Sequence, residues 1–225
     1  MKTILVIGGS KGIGKAIIEL LIETHKIINF SRSEPILHNN LTHHNLDVLT
    51  DELPTIEALN GLVYCPGSIQ LKPFKRLDME AFNVDFRINV LGAVRCIQEY
   101  TKALKQGSGS VVLFSTVATK LGMPFHSSVS ASKSAVEGLS KSLAAEYATQ
   151  IRFNCIAPTV TDTQLAEKLL RNDKQRESMM MRHPLKQYLQ PKEVAELAAY
   201  LLSDSSKAIS GHVFPIDAGL SSLKI

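Results

Sequence analysis

Thr3-Ile4-Leu5-Val6-Ile7 is an apolar, β-branched run of strand length that leads straight into Gly8-Gly9-Ser10-Lys11-Gly12-Ile13-Gly14. Apolar side chains then recur at Ile13, Ala16, Ile17, Leu20 and Leu21, the spacing of one helix face. The glycines therefore lie on a strand-to-helix turn. Such a turn lets backbone approach a bound group closely, and the free N–H groups of the helix N-terminus favour an anion there. A pyrophosphate suits that position, held by Gly8, Ser10, Lys11, Gly12, Ile13 and Gly14. A glycine-rich stretch alone is as often an ordinary loop; the strand before it and the helix after it make this one informative.

Strand-like and helix-like periods alternate along the rest of the chain. Strands are expected at 3–7, 26–30, 42–46, 61–64, 111–115, 151–157 and 212–216, and helices at 12–24, 78–104 with a break near Asn89, 131–149 and 191–203. This alternation predicts an α/β chain: a Rossmann-like, doubly wound parallel sheet of about seven strands flanked by helices. Only about fifteen residues separate Asp47 from the strand at 61, too few for a crossover helix with its loops, so the third helix is expected to be shortened. The 225 residues suit one domain, and no linker, repeat or low-complexity stretch divides 1–225.

Composition narrows the partners. The net charge of +4 is spread along the chain without a basic block, so nucleic-acid binding is unsupported. Cys65, Cys96 and Cys155 are odd in number and lack metal-ligand spacing; they read as free thiols in a reducing compartment, with no metal. Neither a transmembrane-length apolar stretch nor a signal-peptide pattern is present, which predicts a cytoplasmic protein acting on a small molecule, without a membrane partner.

Further motifs follow in order. Gly8, Gly12 and Gly14 have the spacing of T-G-x-x-x-G-x-G, with Ile7 at its threonine; then come Asp47 in Asn45-Leu46-Asp47-Val48, Gly67 closing Val63-Tyr64-Cys65-Pro66-Gly67, and Asn89 in Ile88-Asn89-Val90. Thr116 in Phe114-Ser115-Thr116-Val117, Lys133 in Val129-Ser130-Ala131-Ser132-Lys133, Asn154 through Thr163 and Gly211 through Gly219 complete the set. Together they resemble the short-chain dehydrogenase/reductase family over nearly the whole chain. The resemblance implies an adenine contact for Asp47, a proton-relay water on Asn89, the usual catalytic serine's place for Thr116, and ribose hydroxyl contacts for Lys133. It also sets Pro158 and Thr163 along the nicotinamide, although Thr159 and Ala218 stand where the family has glycine.

One departure matters more. Tyrosine and lysine at i and i+4 share a helix face, so the ammonium can lower the phenol's pKa and let it pass a proton to or from a substrate oxygen. Here the residue four before Lys133 is Val129, which has no proton to give. His126, seven residues before Lys133, has the Tyr-x6-Lys interval of the enoyl-reductase branch and can reach the lysine's face if the helix extends back that far. A lone loop histidine is the bland alternative, and Ser128 and Ser130 are weaker donors because an unassisted hydroxyl is a poor acid. By the same bland standard a strand-end Thr-Val pair is packing and a helix lysine is solvated; their places in the motif order argue for more. The remaining tyrosines, 64, 100, 147, 188 and 200, fall at no donor position of the family.

Ile28-Asn29-Phe30-Ser31-Arg32 ends the second strand with a hydroxyl and a guanidinium, not the acidic residue that holds the ribose of NAD, and Lys11 adds a second cation. Ser31 and Arg32 are thus expected to select NADP(H). Segment 164–190, with Leu165, Leu169, Leu170 and Met179-Met180-Met181 among charges, suits a partly helical substrate lid, and equally a plain surface helix. Two functions remain: an NADP(H)-dependent reductase of a carbonyl or activated alkene with a displaced donor, or a catalytically idle relative that binds NADP(H) as a sensor or structural subunit. The family's helix pairing and the apolar tail Leu220, Leu223 and Ile225 imply a homodimer or homotetramer.

Overall fold

The computed structural model describes residues 1–224. β1 (Thr3–Ile7) obeys the two-residue period: Leu5 and Ile7 enter one apolar core, while Ile4 and Val6 enter a second on the opposite face. Burial on both faces is why the run is continuously apolar. β2 (Lys26–Ser31), β3 (Leu41–Asn45), β4 (Gly61–Tyr64), β5 (Ser110–Phe114), β6 (Arg152–Pro158) and β7 (Val213–Ile216) join it in one parallel sheet, ordered β3-β2-β1-β4-β5-β6-β7. The strand order reverses between β1 and β4. The crevice beyond the C-terminal ends of those two strands is where this architecture binds ligands.

α1 (Gly12–Leu21) and α6 (Pro191–Leu202) cover one face with Ile17, Ile18, Val194, Ala198 and Leu201. α3 (Gly92–Gln106) and α4 (Ser127–Glu146) cover the other with Ile97, Leu104, Val136 and Ala144, and α2 (Met79–Phe86) packs on α4. α5 (Asp173–Met181) lies in the segment between β6 and α6. Among the described residues no helix is long and apolar enough to cross a membrane.

One local expectation is met and two are corrected. The break near Asn89 is a π-helical turn, Arg87–Leu91, that joins α2 to α3 without ending the helix and buries Asn89. α4 starts at Ser127, earlier than 131: the Ser130 N–H donates to the His126 carbonyl at 2.8 Å and closes a first turn through serines that on propensity alone favour caps and loops. The shortened third helix is absent, and 46–60 crosses in turns. Asp47 starts them by accepting from the Leu49 N–H at 3.0 Å, Arg95 of α3 donates to the carbonyls of Val48 and Asp51, and Tyr100 donates to that of Pro54. Side chains from α3 thus satisfy the carbonyls a helix would have satisfied itself.

Candidate active site

The glycine turn is shaped by backbone that only glycine adopts freely. Gly8 has φ +79° and Gly12 φ +54°, and a Cβ on Gly14 would collide with the Gly8 carbonyl. α1 therefore begins hard against the end of β1, with its first N–H groups open. Beside it lies a cavity of about 360 Å³ lined by Gly8, Ser10, Lys11, Ser31, Arg32, Asp47 and Gly67. Within it Arg32 is largely exposed, 3.6 Å from the Asp47 carboxylate, and its donors remain open to a ligand. Ser31 lines the same cavity and also braces the strand end. Its hydroxyl donates to the Ser33 carbonyl at 2.8 Å and accepts from Asn29 Nδ2, so it holds the strand end in shape, while Ser33 meets Ser10 hydroxyl to hydroxyl at 2.8 Å.

Gly67 also borders a second cavity, of about 220 Å³, at the ends of β4, β5 and β6. Lys133, Thr116, His126, Val129, Pro158, Thr163 and Ile13 all line it. Thr163 reaches it by packing over Gly12, its Cγ2 3.2 Å from where a Cβ would stand. α4 supplies the chemistry: His126 is its N-cap residue, Val129 lies in its first turn, and Lys133 follows one turn later. Lys133 is buried and donates to the Phe114 carbonyl at 2.9 Å; burial lowers its pKa to about 8, against the opposing pull of Cys155, Cys65 and Asp85. Its two other N–H donors are uncommitted. Thr116 Oγ1 accepts from the Ala118 N–H at 3.3 Å, which leaves its own proton free to donate into the cavity.

His126 is held in one tautomer. Nδ1 lies 2.7 Å from the Pro124 carbonyl, which can only accept, so Nδ1 carries a proton and Nε2 is the nitrogen left to take or give one. Ser130 donates to the Ala118 carbonyl at 3.0 Å and Ser128 is buried outside the cavity, so neither weaker donor reaches it. Among the described residues no tyrosine lines the cavity. Asn89 stands behind Gly67, donating to Ser132 Oγ at 3.2 Å and to Ser68 Oγ at 3.3 Å and accepting from the Ser68 N–H.

Several groups here went unnoticed in the sequence. Ser68 lines the cavity and donates at 2.6 Å to Asp85, a fully buried carboxylate on α2 whose second oxygen has no partner among the described residues. Asp85 lies at i−4 from Asn89, one helical turn away on the same face, a spacing that was open to reading. Thr159 pairs with the buried His183: its hydroxyl donates at 2.9 Å to Nε2, because Nδ1–H is given to the Met179 carbonyl at 2.8 Å. Segment 164–190 is thereby tied to the end of β6, with a second tether where Arg176 meets Asp162 at 2.6 Å and Tyr188 at 2.7 Å. It covers the cavity with Leu165, Leu169 and Met179. Cys65 also faces in, its thiol pushed up to about 12 by burial and so kept neutral.

Residues 45–221 match the family model described as enoyl-(acyl carrier protein) reductase. The chain is 28% identical over 244 residues to 2,5-dichloro-2,5-cyclohexadiene-1,4-diol dehydrogenase of Sphingobium indicum, across 99% of this chain and 98% of that one. Among solved structures it is similar to a short chain dehydrogenase family protein from Francisella tularensis, at 28% identity and TM-score 0.90 over 99% of this chain and 100% of that one. It is likewise similar to ElxO with NADP bound, at 25% identity and TM-score 0.86 over 99% of both chains. A third is 4-hydroxyisoleucine dehydrogenase complexed with NADH, at 25% identity and TM-score 0.86 over 100% of both. With the reversal of strand order, the glycine turn and the motifs in their places on it, these likenesses show that the chain belongs to the short-chain dehydrogenase/reductase family of oxidoreductases.

Proposed function

We propose that the protein is an NADP(H)-dependent oxidoreductase that reduces a carbonyl or an activated alkene of a small molecule, with His126 as proton donor in place of the family's tyrosine. The observation that carries this reading is the convergence of Lys133, Thr116 and His126 on one cavity where Val129 can transfer no proton. The glycine cradle and the cavity beside it fit a dinucleotide, and similar structures hold NADP or NADH. Lys11 and Arg32 favour the 2′-phosphate of NADP(H), since a guanidinium can grip it with two parallel N–H bonds.

When bound, the nicotinamide supplies the hydride. The chain's residues then do the rest. Thr116 Oγ1 donates a hydrogen bond to the substrate oxygen, and protonated His126 delivers its Nε2 proton as negative charge develops there. Lys133, fixed by the Phe114 carbonyl, turns its free N–H donors to the ribose hydroxyls and adds positive potential. Asn89 and Ser68, bonded to each other beside Gly67, suit a water that resupplies the proton. The idle alternative draws its support from Val129 itself, an apolar side chain at the donor's place.

The test is NADPH oxidation with a panel of ketones, aldehydes and enoyl thioesters, run on the wild type and on Val129→Tyr. Turnover by the wild type is expected. If the wild type is inert on the whole panel while Val129→Tyr gains activity, the chain is the idle relative.

A further inference from the structure

Asp85 is a carboxylate on α2 with no exposure to solvent, so it has given up its hydration. One oxygen accepts from the Ser68 hydroxyl at 2.6 Å, the other has no partner among the described residues, and no cation among them lies within ion-pairing distance. A buried charge in that state is costly unless an opposite charge stands near. Lys133 is the buried cation on the neighbouring helix. α2 packs on α4, and a polar chain joins the two: Ser68 donates to Asp85, Asn89 donates to Ser68 and to Ser132, and Ser132 directly precedes Lys133. Because a carboxylate can only accept, the Ser68 proton is committed to it, and what Ser68 Oγ and Asn89 Oδ1 have left to offer is lone pairs. Those acceptors stand opposite an ammonium with two free donors. Gly67 keeps the space between them open, since a Cβ there would stand 3.3 Å from Asn89 Oδ1 and 3.7 Å from Lys133 Nζ.

The other groups around Lys133 do not supply the negative charge. The Cys155 and Cys65 thiols, pushed up to about 12 by burial, are neutral at pH 7. Glu137, one turn after Lys133 on α4, is turned to the Ser115 and Thr119 hydroxyls. His126, His183 and Arg182, which line the same cavity, carry positive charge or none. We propose that Asp85 is the buried counter-charge of the active site, a positioning residue that acts across Ser68 and Asn89 to keep Lys133 charged and set toward the cofactor. The part Lys133 plays in NADPH binding rests on the oxidoreductase reading; the pairing of the two charges does not.

An NMR titration of the Lys133 side chain, its signal assigned by its loss in Lys133→Arg, tests this on the full chain in wild type and Asp85→Asn. Asparagine keeps the shape and an acceptor for Ser68 but removes the charge. The wild type should titrate near about 8, and the Asp85→Asn midpoint should lie roughly one pH unit lower, because a nearby negative charge favours the ammonium. NADPH affinity should then fall roughly 5-fold in Asp85→Asn at pH 8 and hardly at all at pH 6, whereas a merely structural loss would weaken binding equally at both. A midpoint unchanged in Asp85→Asn would overturn the proposal. A lowered midpoint with NADPH affinity unchanged at both pH values would support the pairing and count against the cofactor role of Lys133 alone. If Asp85→Asn does not fold, the wild type decides: a carboxyl-carbon shift for Asp85 typical of a carboxylate at pH 7 supports the counter-charge, and one typical of a protonated acid overturns it.

Discussion

Replacing Lys133 by methionine should make the ligand-free protein more stable, and only below about pH 9.5. Burial lowers the lysine's pKa from 10.5 to about 8. At pH 7 the folded protein therefore carries a charge it would rather shed, at a cost of about 3 kcal/mol from the size of that displacement. Methionine removes the charge and keeps most of the volume. The lost bond to the Phe114 carbonyl works the other way by about 1 kcal/mol, which leaves a net gain of about 2 kcal/mol, or roughly 5 °C in Tm. Between the folded pKa and the unfolded one, the unfolded chain binds a proton that the folded chain does not, so wild-type stability rises with pH in that window. By pH 9.5 the wild type should regain about 2 kcal/mol, and the variant's advantage should vanish. Urea unfolding of both proteins at pH 7 and 9.5, at one protein concentration, reads this directly. A variant less stable than wild type at pH 7, or an advantage that does not change with pH, would refute the reasoning.

Other consequences can be checked quickly. NADPH should bind more tightly than NADH, and Arg32→Ala should reduce that preference roughly 10- to 100-fold, measured by fluorescence titration; equal affinity of the wild type for both sinks the choice of NADP(H). Gly14→Ala should abolish dinucleotide binding and destabilise the fold by about 1–3 kcal/mol, because its Cβ meets the Gly8 carbonyl and backbone cannot step aside; a variant that binds and unfolds like wild type would contradict the cradle's geometry. Light scattering at micromolar concentration should give a dimer or tetramer, since Met79, Phe86 and Leu91 leave α2 and the turn after it with exposed apolar side chains; a monomer would count against it.

The parts of the fold that could be read in the sequence are those where one physical rule acts alone. β1 and the glycine turn obey strand period, helix period and glycine geometry in direct succession, and the sheet follows from the alternation of such units. The errors lie where two rules compete. Serines 127, 128 and 130 disfavour helix by propensity, yet the serine-rich first turn of α4 forms because His126 supplies the first carbonyl and Val129 is buried below it. The crossover at 46–60 needed Arg95 and Tyr100, contributed from α3 across the fold, which no local pattern announces. Within the site, Lys133, Thr116 and Gly67 could be placed by motif order. The Thr159–His183 pair could not, because its partners are far apart in the chain and meet only through the fold.

The central claim is that His126 moves the proton that tyrosine would move elsewhere in the family. The measurement that bears on it most directly is turnover of His126→Ala, taken beside its NADPH affinity, on whichever substrate of the panel the wild type reduces. Nε2 has no hydrogen-bond partner among the described residues and His126 does not line the cavity beside the glycine turn, so NADPH binding should stay close to that of wild type while turnover falls roughly 10²–10⁴-fold, the usual contribution of a positioned acid. Turnover equal to that of wild type would contradict the assignment and move the donor's role to a water held by Asn89 and Ser68.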